Sequence, residues 1–161
     1  HLWIIRAFTK TYAMPGIRLG YMIGNHEEKL SLIRHQLPEW NVSLPAQEAG
    51  IAALDKVGYL MDSRDYIQKE REYLEREILK VGQSIKESDL ILYPSVTNYL
   101  LFYSTIPFYD SLQDQGILIR DCGNFAGLPD GYYRIAVRTH EENRKLIEAM
   151  RKVIEGARLA F

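Results

Sequence analysis

The sequence predicts an α/β fold on three observations. Short apolar runs of strand length alternate with helical segments, one long charged stretch repeats apolar residues every seven positions, and the last segment combines a helix-capping signal with a 3.6-residue apolar period. The 161 residues hold 20 Lys and Arg against 21 Asp and Glu and are 47% hydrophobic and 25% charged. That balance excludes a strongly basic nucleic-acid binder, an acidic tail and global disorder, and it suits one domain, or one domain and part of another. Cys122 is the single cysteine, which excludes a disulfide framework and a cysteine-based zinc cluster, and points to a reducing, cytoplasmic setting. The longest apolar runs, residues 99–103 and 117–119, are far below the roughly 20 residues a membrane span needs, so no membrane partner is expected.

Taken in order, residues 2–5 read as a strand apolar on both faces, suited to the centre of a sheet covered on both sides. They follow His1 without an initiator Met or a signal-peptide layout, and the expectation is a chain that is a fragment. Residues 6–16 read as a loop and 17–23 as a second strand ending at Gly24-Asn25. Asn25 is expected to cap a helix, with Glu28 three residues on, Leu30, Ile33 and Leu37 on one face and Pro38 as its stop. Trp40 lies in the loop that follows, as a core or interface aromatic or a residue at a site mouth. Pro45 suits the first turn of the next helix.

From about residue 59 to 85 a long helix is expected, with Leu60, Ile67, Leu74 and Val81 at heptad spacing. Lys69, Glu70, Arg71, Glu72, Glu75, Arg76 and Glu77 form its expected solvated face. Thereafter strands are expected at 90–93, 98–103, 117–120 and 132–138, with a helix at 108–115. Thr139 and Glu142 form a capping box that opens the last helix, which buries Leu146, Ile147, Met150, Val153, Ile154 and Ala157. His26, His35 and His140 lack ligand spacing, and no metal site is expected.

Two stretches can carry chemistry. In the first, Lys10 follows a strand read as buried, where scarce solvent favours a neutral, nucleophilic amine. Eight residues on, past Pro15-Gly16, Arg18 returns towards it with a guanidinium suited to a phosphate, and Thr9 adds a hydroxyl donor. In the second, strand alternation from Tyr132 places Arg134 and Arg138 on one face and Ile135 and Val137 on the other. A mid-strand arginine needs an anionic partner, and Asp121, Asp130 and Glu141 are the structural candidates. Cys122 reads as a small packed residue.

The run Thr9-Lys10, Pro15-Gly16, Arg18, Gly20-Tyr21 resembles the lysine signature of class I/II (fold type I) aminotransferases, which depend on pyridoxal 5'-phosphate (PLP). The resemblance implies that Lys10 is the catalytic lysine bound covalently to the cofactor and that Arg18 and Thr9 hold the cofactor phosphate. Ala7 stands where the family usually has a Ser or Thr, so phosphate anchorage should lose one charge-assisted hydrogen bond, about 1.5–3 kcal/mol. By the same resemblance Arg134 clamps the substrate carboxylate, and Arg120 matches an arginine that contacts substrate phosphate in the subgroup of histidinol-phosphate aminotransferases and threonine-phosphate decarboxylases. Asn98 to Leu101, Arg120-Asp121-Cys122, Asn124 and the run around Arg134 look closer to the decarboxylase branch.

The resemblance divides the chain into a remnant of the PLP-binding large domain (1–58), a connecting helix (59–87) and a small C-terminal α/β domain (88–161). It implies a homodimer acting on a phosphorylated amino acid or amino alcohol, with no nucleic-acid partner. It covers under half of a family member, lacking the family's glycine-rich phosphate loop, ring-stacking aromatic and pyridine-pairing Asp, so the isolated chain is expected to be inactive or nearly so. Phosphate or sulfate is expected to gather at Lys10, Arg18, Arg120, Arg134 and Arg138. Two other readings are an aminotransferase-like domain of a transcription regulator and a truncated module without cofactor.

Overall fold

The computed structural model describes residues 2–85 and 89–159; residues 86–87, at the end of the expected connecting segment, lie outside the described residues. The chain is mixed α/β and divides into two compact units, His1–Asp62 and Ser63–Phe161. Among the described residues no helix is long and apolar enough to cross a membrane.

In the first unit, β1 (Trp3–Ala7) pairs antiparallel with β2 (Gly20–Gly24), from Trp3 opposite Gly24 to Ala7 opposite Gly20. The expectation of a strand covered on both faces is not met: Ile5 is 77% exposed, and β1 is solvent-facing at four of its five residues. A two-stranded ribbon gives each strand one neighbour, and a continuous apolar run is then left uncovered. The turn between the strands is built from α1 (Phe8–Thr11) and a 3-10 turn at Pro15–Ile17, so Lys10 stands on a short helix where a loop was expected. Next come α2 (Glu27–Gln36) and α3 (Leu44–Leu54). His26, not Asn25, occupies the cap position of α2 and makes no side-chain cap bond; Glu27 and Glu28 in the first turn meet the positive end of the helix instead. Leu37 is extended ahead of Pro38, as the proline's clash with a preceding helical residue requires. Ser43 caps α3 by accepting from Ala46 N at 3.4 Å, with Pro45 in the first turn.

Helix α4 (Val57–Gly82) begins in the first unit and contributes Ser63 onward to the second. There the sheet runs β3-β4-β6-β5 with all pairs antiparallel: β3 Leu90–Leu92, β4 Tyr99–Ser104, β5 Arg120–Asp121 and β6 Tyr132–Ala136. α5 (Phe108–Gln113) and α6 (His140–Leu159) complete it. β4 alternates strictly between half-buried Tyr99, Leu101 and Tyr103 and buried Leu100, Phe102 and Ser104, the period-2 signature of a sheet covered by helices on one face. The buried set packs with Leu74, Ile78 and Val81 of α4, Phe108 and Leu112 of α5, Tyr133 and Ile135 of β6, and the α6 stripe of Leu146, Ile147, Met150, Val153 and Ile154. Of the expected heptad stripe, Leu74 and Val81 share one core with the apolar face of α6, while Leu60 and Ile67 are outside it.

Several boundaries differ from expectation: β2 begins at Gly20 and not at residue 17, α4 runs Val57–Gly82, α5 ends at Gln113, β6 ends at Ala136, and β5 is only Arg120–Asp121. Gly116 takes a left-handed φ of +77°, and Ile117 N donates back to Leu112 O at 2.9 Å, which holds residues 117–119 near α5 and out of the ladder. The capping box forms as expected: Glu142 Oε2 accepts from Thr139 N at 3.3 Å and Oγ1 at 2.7 Å, while Glu142 N donates to Thr139 Oγ1 at 3.4 Å.

Hydrogen bonds from Arg138 first, and then from Thr139, hold the Glu142 carboxyl at about 2 against an ordinary 4.5. A value lowered in the folded chain means that the contribution to stability is complete above the unfolded value and is lost as the pH falls through the folded one. The difference in urea midpoint between the wild type and Glu142→Gln should therefore be largest near pH 5 and shrink towards pH 2; a difference constant across that window would contradict the assignment.

Candidate active site

The lysine end of the first unit is set by aromatic packing. Phe8 is 4% exposed and stacks on Tyr12 at 5.0 Å, with Tyr21 edge-on at 6.1 Å, and Tyr12 stacks in turn on Tyr59 at 5.8 Å. Phe8 N donates to Leu19 O at 3.0 Å, closing the ribbon beyond its last ladder pair. α1 thus leaves β1 at the end of the ribbon where Arg18 enters β2, so Lys10 and Arg18 lie at one end of the same ribbon. Gly50 lets α3 approach this turn: a Cβ there would meet Leu19 Cδ2 at 2.5 Å. Arg18 has a left-handed φ of +56° and donates from Nη1 to Pro15 O at 3.3 Å. Thr9 is half-buried; Lys10 and Arg18 are exposed. The solvent-poor position expected for Lys10 is not found, for the same reason that β1 is exposed. Among the described residues neither Lys10 nor Arg18 forms an ion pair. An amine, a guanidinium and a hydroxyl fit an aldehyde that carries a phosphate.

The arginine stretch lies in the second unit. Arg120 and Arg134 stand directly opposite each other on β5 and β6, which puts both on the sheet face away from the buried residues. Like charges in this register repel. Among the described residues neither has the carboxylate partner expected for a mid-strand arginine: Asp121, Asp130 and Glu141 form no ion pair with either, and Glu141 pairs with Lys145 at 2.8 Å. Arg134 instead lies over the Tyr99 ring at 4.6 Å. Arg120 lies over Phe125 at 5.4 Å and donates to Asn124 Oδ1 at 2.9 Å. Each guanidinium is held by neutral groups that orient it and leave its charge uncompensated.

Because β5 stops pairing at Arg134 while residues 117–119 diverge, a cavity of about 580 Å³ opens beside the end of β6. Among the described residues Arg120, Arg134, Arg138 and Lys145 line it against the single carboxylate of Glu142, with Tyr99 among the walls. Arg138, placed by alternation on the strand, falls instead in the turn between β6 and α6 and is paired with Glu142 at 2.7 Å. Cys122 is 1% exposed, and burial pushes its thiol up, in keeping with a packed residue. Trp40 is 94% exposed with φ +58°. Among the described residues no group of His, Cys, Asp and Glu could hold a metal.

Sequence reasoning missed one polar centre. Glu70, read as part of the solvated face of α4, is 8% exposed and bonded to His140 and Asn143 of α6. The signal was its spacing: Glu70, Leu74 and Ile78 follow one another at four residues along the apolar stripe.

The family described as aminotransferase class I and II matches residues 1–150. Threonine-phosphate decarboxylase of Salmonella typhimurium is 34% identical over 97% of this chain and 42% of its own length. Histidinol-phosphate aminotransferase of Methanosphaera stadtmanae is 33% identical over 97% of this chain and 42% of its own length. The crystal structure of the histidinol-phosphate aminotransferase from Clostridium acetobutylicum superposes with a TM-score of 0.86 at 36% identity, covering 96% of this chain and 46% of that one. The chain thus spans about two fifths of the length of the curated relatives it matches. With a family match that takes in both the lysine turn and the arginine strands, the chain belongs to the class I and II aminotransferase family.

Proposed function

We propose that this chain carries the lysine and the substrate-anion groups of a PLP-dependent enzyme that acts on a phosphorylated amino acid or amino alcohol, in the manner of a threonine-phosphate decarboxylase or a histidinol-phosphate aminotransferase. The observation that carries the reading is the cross-strand Arg120 and Arg134 pair, which has two uncompensated charges on one sheet face and a cavity beside it. A substrate with a carboxylate and a phosphate supplies the counter-charge. In this reading residues 1–58 belong to the cofactor-binding domain, 59–87 to the connecting helix and 88–161 to the small domain. The active assembly is a homodimer, a reading that the exposed apolar side chains of Leu2, Ile5 and Trp40 support.

When bound, the cofactor supplies an electron sink for the bond broken at the substrate's Cα. Lys10 contributes its Nζ, as the point of covalent attachment and then as the base that takes or returns a proton at Cα. The Arg18 guanidinium and the Thr9 hydroxyl hold the cofactor's phosphate, and Ala7 adds nothing to that set. Arg134, aligned by Tyr99, holds the substrate carboxylate; Arg120, aligned by Asn124 and Phe125, holds its phosphate. These two contacts, one on each charged group of the substrate, would set how the substrate is turned at Cα and so which of its bonds is broken, loss of the Cα proton or of the carboxylate; orientation of this kind accounts for several kcal/mol.

Two outcomes test this. Borohydride reduction of the chain after addition of PLP should fix the cofactor on Lys10 in mass mapping and not in Lys10→Ala; labelling scattered over surface lysines would refute the lysine assignment. By calorimetry the chain should bind histidinol phosphate more tightly than histidinol, and Arg120→Ala should reduce that preference by roughly 10- to 100-fold, about 1.5–3 kcal/mol for a charge-assisted contact. An unchanged preference in that variant would refute Arg120 as the phosphate group.

A further inference from the structure

Glu70 is the one buried charged side chain among the described residues, and nothing in the proposed chemistry uses it. It stands on α4 and faces the start of α6. Glu70 Oε2 accepts from Asn143 Nδ2 at 2.9 Å, and both carboxylate oxygens lie at 3.1 and 3.2 Å from His140 Nδ1. Tyr66 Oη accepts from His140 N at 3.0 Å. Asn143 is 1% exposed and clasps a single residue of the main chain in both directions: its Oδ1 accepts from Arg138 N at 3.0 Å and its Nδ2 donates to Arg138 O at 2.9 Å. Arg138 lies two residues beyond β6, on the wall of the cavity that Arg120 and Arg134 share.

A carboxylate in an interface between two helices is costly to desolvate, and its hydrogen bonds must offset that cost. What an ionised carboxylate does that an apolar group does not is accept only. It forces the Asn143 amide to turn its NH2 towards α4, and that orientation alone leaves Oδ1 facing the Arg138 N–H. Were the amide reversed, two oxygens would meet at Glu70 and two N–H groups at Arg138.

We infer that Glu70, acting through Asn143, is a positioning residue for the arginine cavity: α4 fixes the main chain at Arg138 and with it the end of β6 from which Arg134 and Arg138 reach the anion. The inference rests on reading that cavity as an anion site. A second contact between the same helices, Arg151 Nη2 to Glu77 Oε2 at 2.7 Å, does not touch the Arg138 turn and serves as the control.

The test is amide hydrogen exchange by NMR on the 161-residue chain, together with titration by inorganic phosphate. Glu70→Leu, which fills the volume but accepts no hydrogen bond, should speed exchange of the Arg138 amide by about tenfold or more and weaken phosphate binding by a similar factor. Glu70→Gln, which keeps an acceptor for Asn143 Nδ2 but no longer accepts only, should fall between the wild type and Glu70→Leu in both. Glu77→Ala should leave both unchanged. Unaltered Arg138 exchange in Glu70→Leu, or an equal change in Glu77→Ala, would overturn the inference and leave Glu70 as packing. Should Glu70→Leu not fold, Asn143→Ala decides the same question through phosphate affinity against the Glu77→Ala control: weakened binding supports the positioning role, and unchanged binding overturns it. A wild-type chain that binds no phosphate would defeat the anion reading, while Arg138 exchange in the variants would still decide the positioning role.

Discussion

Alternation along β4 and β6 is the constraint on which the second unit depends. One face of the sheet must be apolar because α4, α5 and α6 cover it, and Leu100, Phe102, Tyr133 and Ile135 meet that demand with at most 6% exposure. Their neighbours then have no choice of face. Tyr99, Leu101 and Arg134 are turned to the other side, and the register of β5 brings Arg120 opposite Arg134. The repulsion that follows is a consequence of the same packing that stabilises the core, and in the proposed function a substrate anion would relieve it. In this sense the site is a by-product of the sheet's period, aimed by aromatic rings and an asparagine that orient the guanidinium groups without neutralising them.

The first unit is organised on a different principle. Phe8, Ala46 and Gly50 are its buried residues among those described, so little of its order comes from a core of its own. The ribbon pairing, the stacked Phe8, Tyr12 and Tyr59, and the close approach of α3 at Gly50 fix a short turn, and that turn carries Lys10 and Arg18. Burial of large side chains holds the second unit; strand pairing and a stack of aromatic rings hold the first. The left-handed φ at Ala13 and Arg18 shows how tightly the turn is constrained.

Periodic features were legible in the sequence, and non-local ones were not. The heptad spacing of Leu74 and Val81, the alternation through Arg134, the Thr139 and Glu142 box and the helix stop at Pro38 are all local statements about spacing, and each is found in the fold, although Leu37, expected on the face of α2, is extended beyond its end. The site residues were legible as residue types in a motif. Their partners were not, because an arginine's neighbour across a sheet depends on register, and register depends on turns such as the one at Gly116. The same limit explains Glu70: its charge suggested solvent, whereas its partners lie 70 and 73 residues away on α6. The exposure of β1 and Lys10 was misjudged because an apolar run states what a strand can bury and says nothing of whether a covering layer is present.

The central claim is that Arg120 and Arg134 form an unbalanced pair completed by an anion, and a double-mutant cycle measures it directly. Unfolding free energies of the wild type, Arg120→Ala, Arg134→Ala and the double variant, in low-salt buffer and again with saturating phosphate, give the coupling between the two side chains. Contacts of each arginine with its own ring cancel in the cycle. The account predicts a coupling that is unfavourable in buffer alone and becomes favourable with phosphate. A coupling that is the same in both, or favourable without an anion, would contradict it.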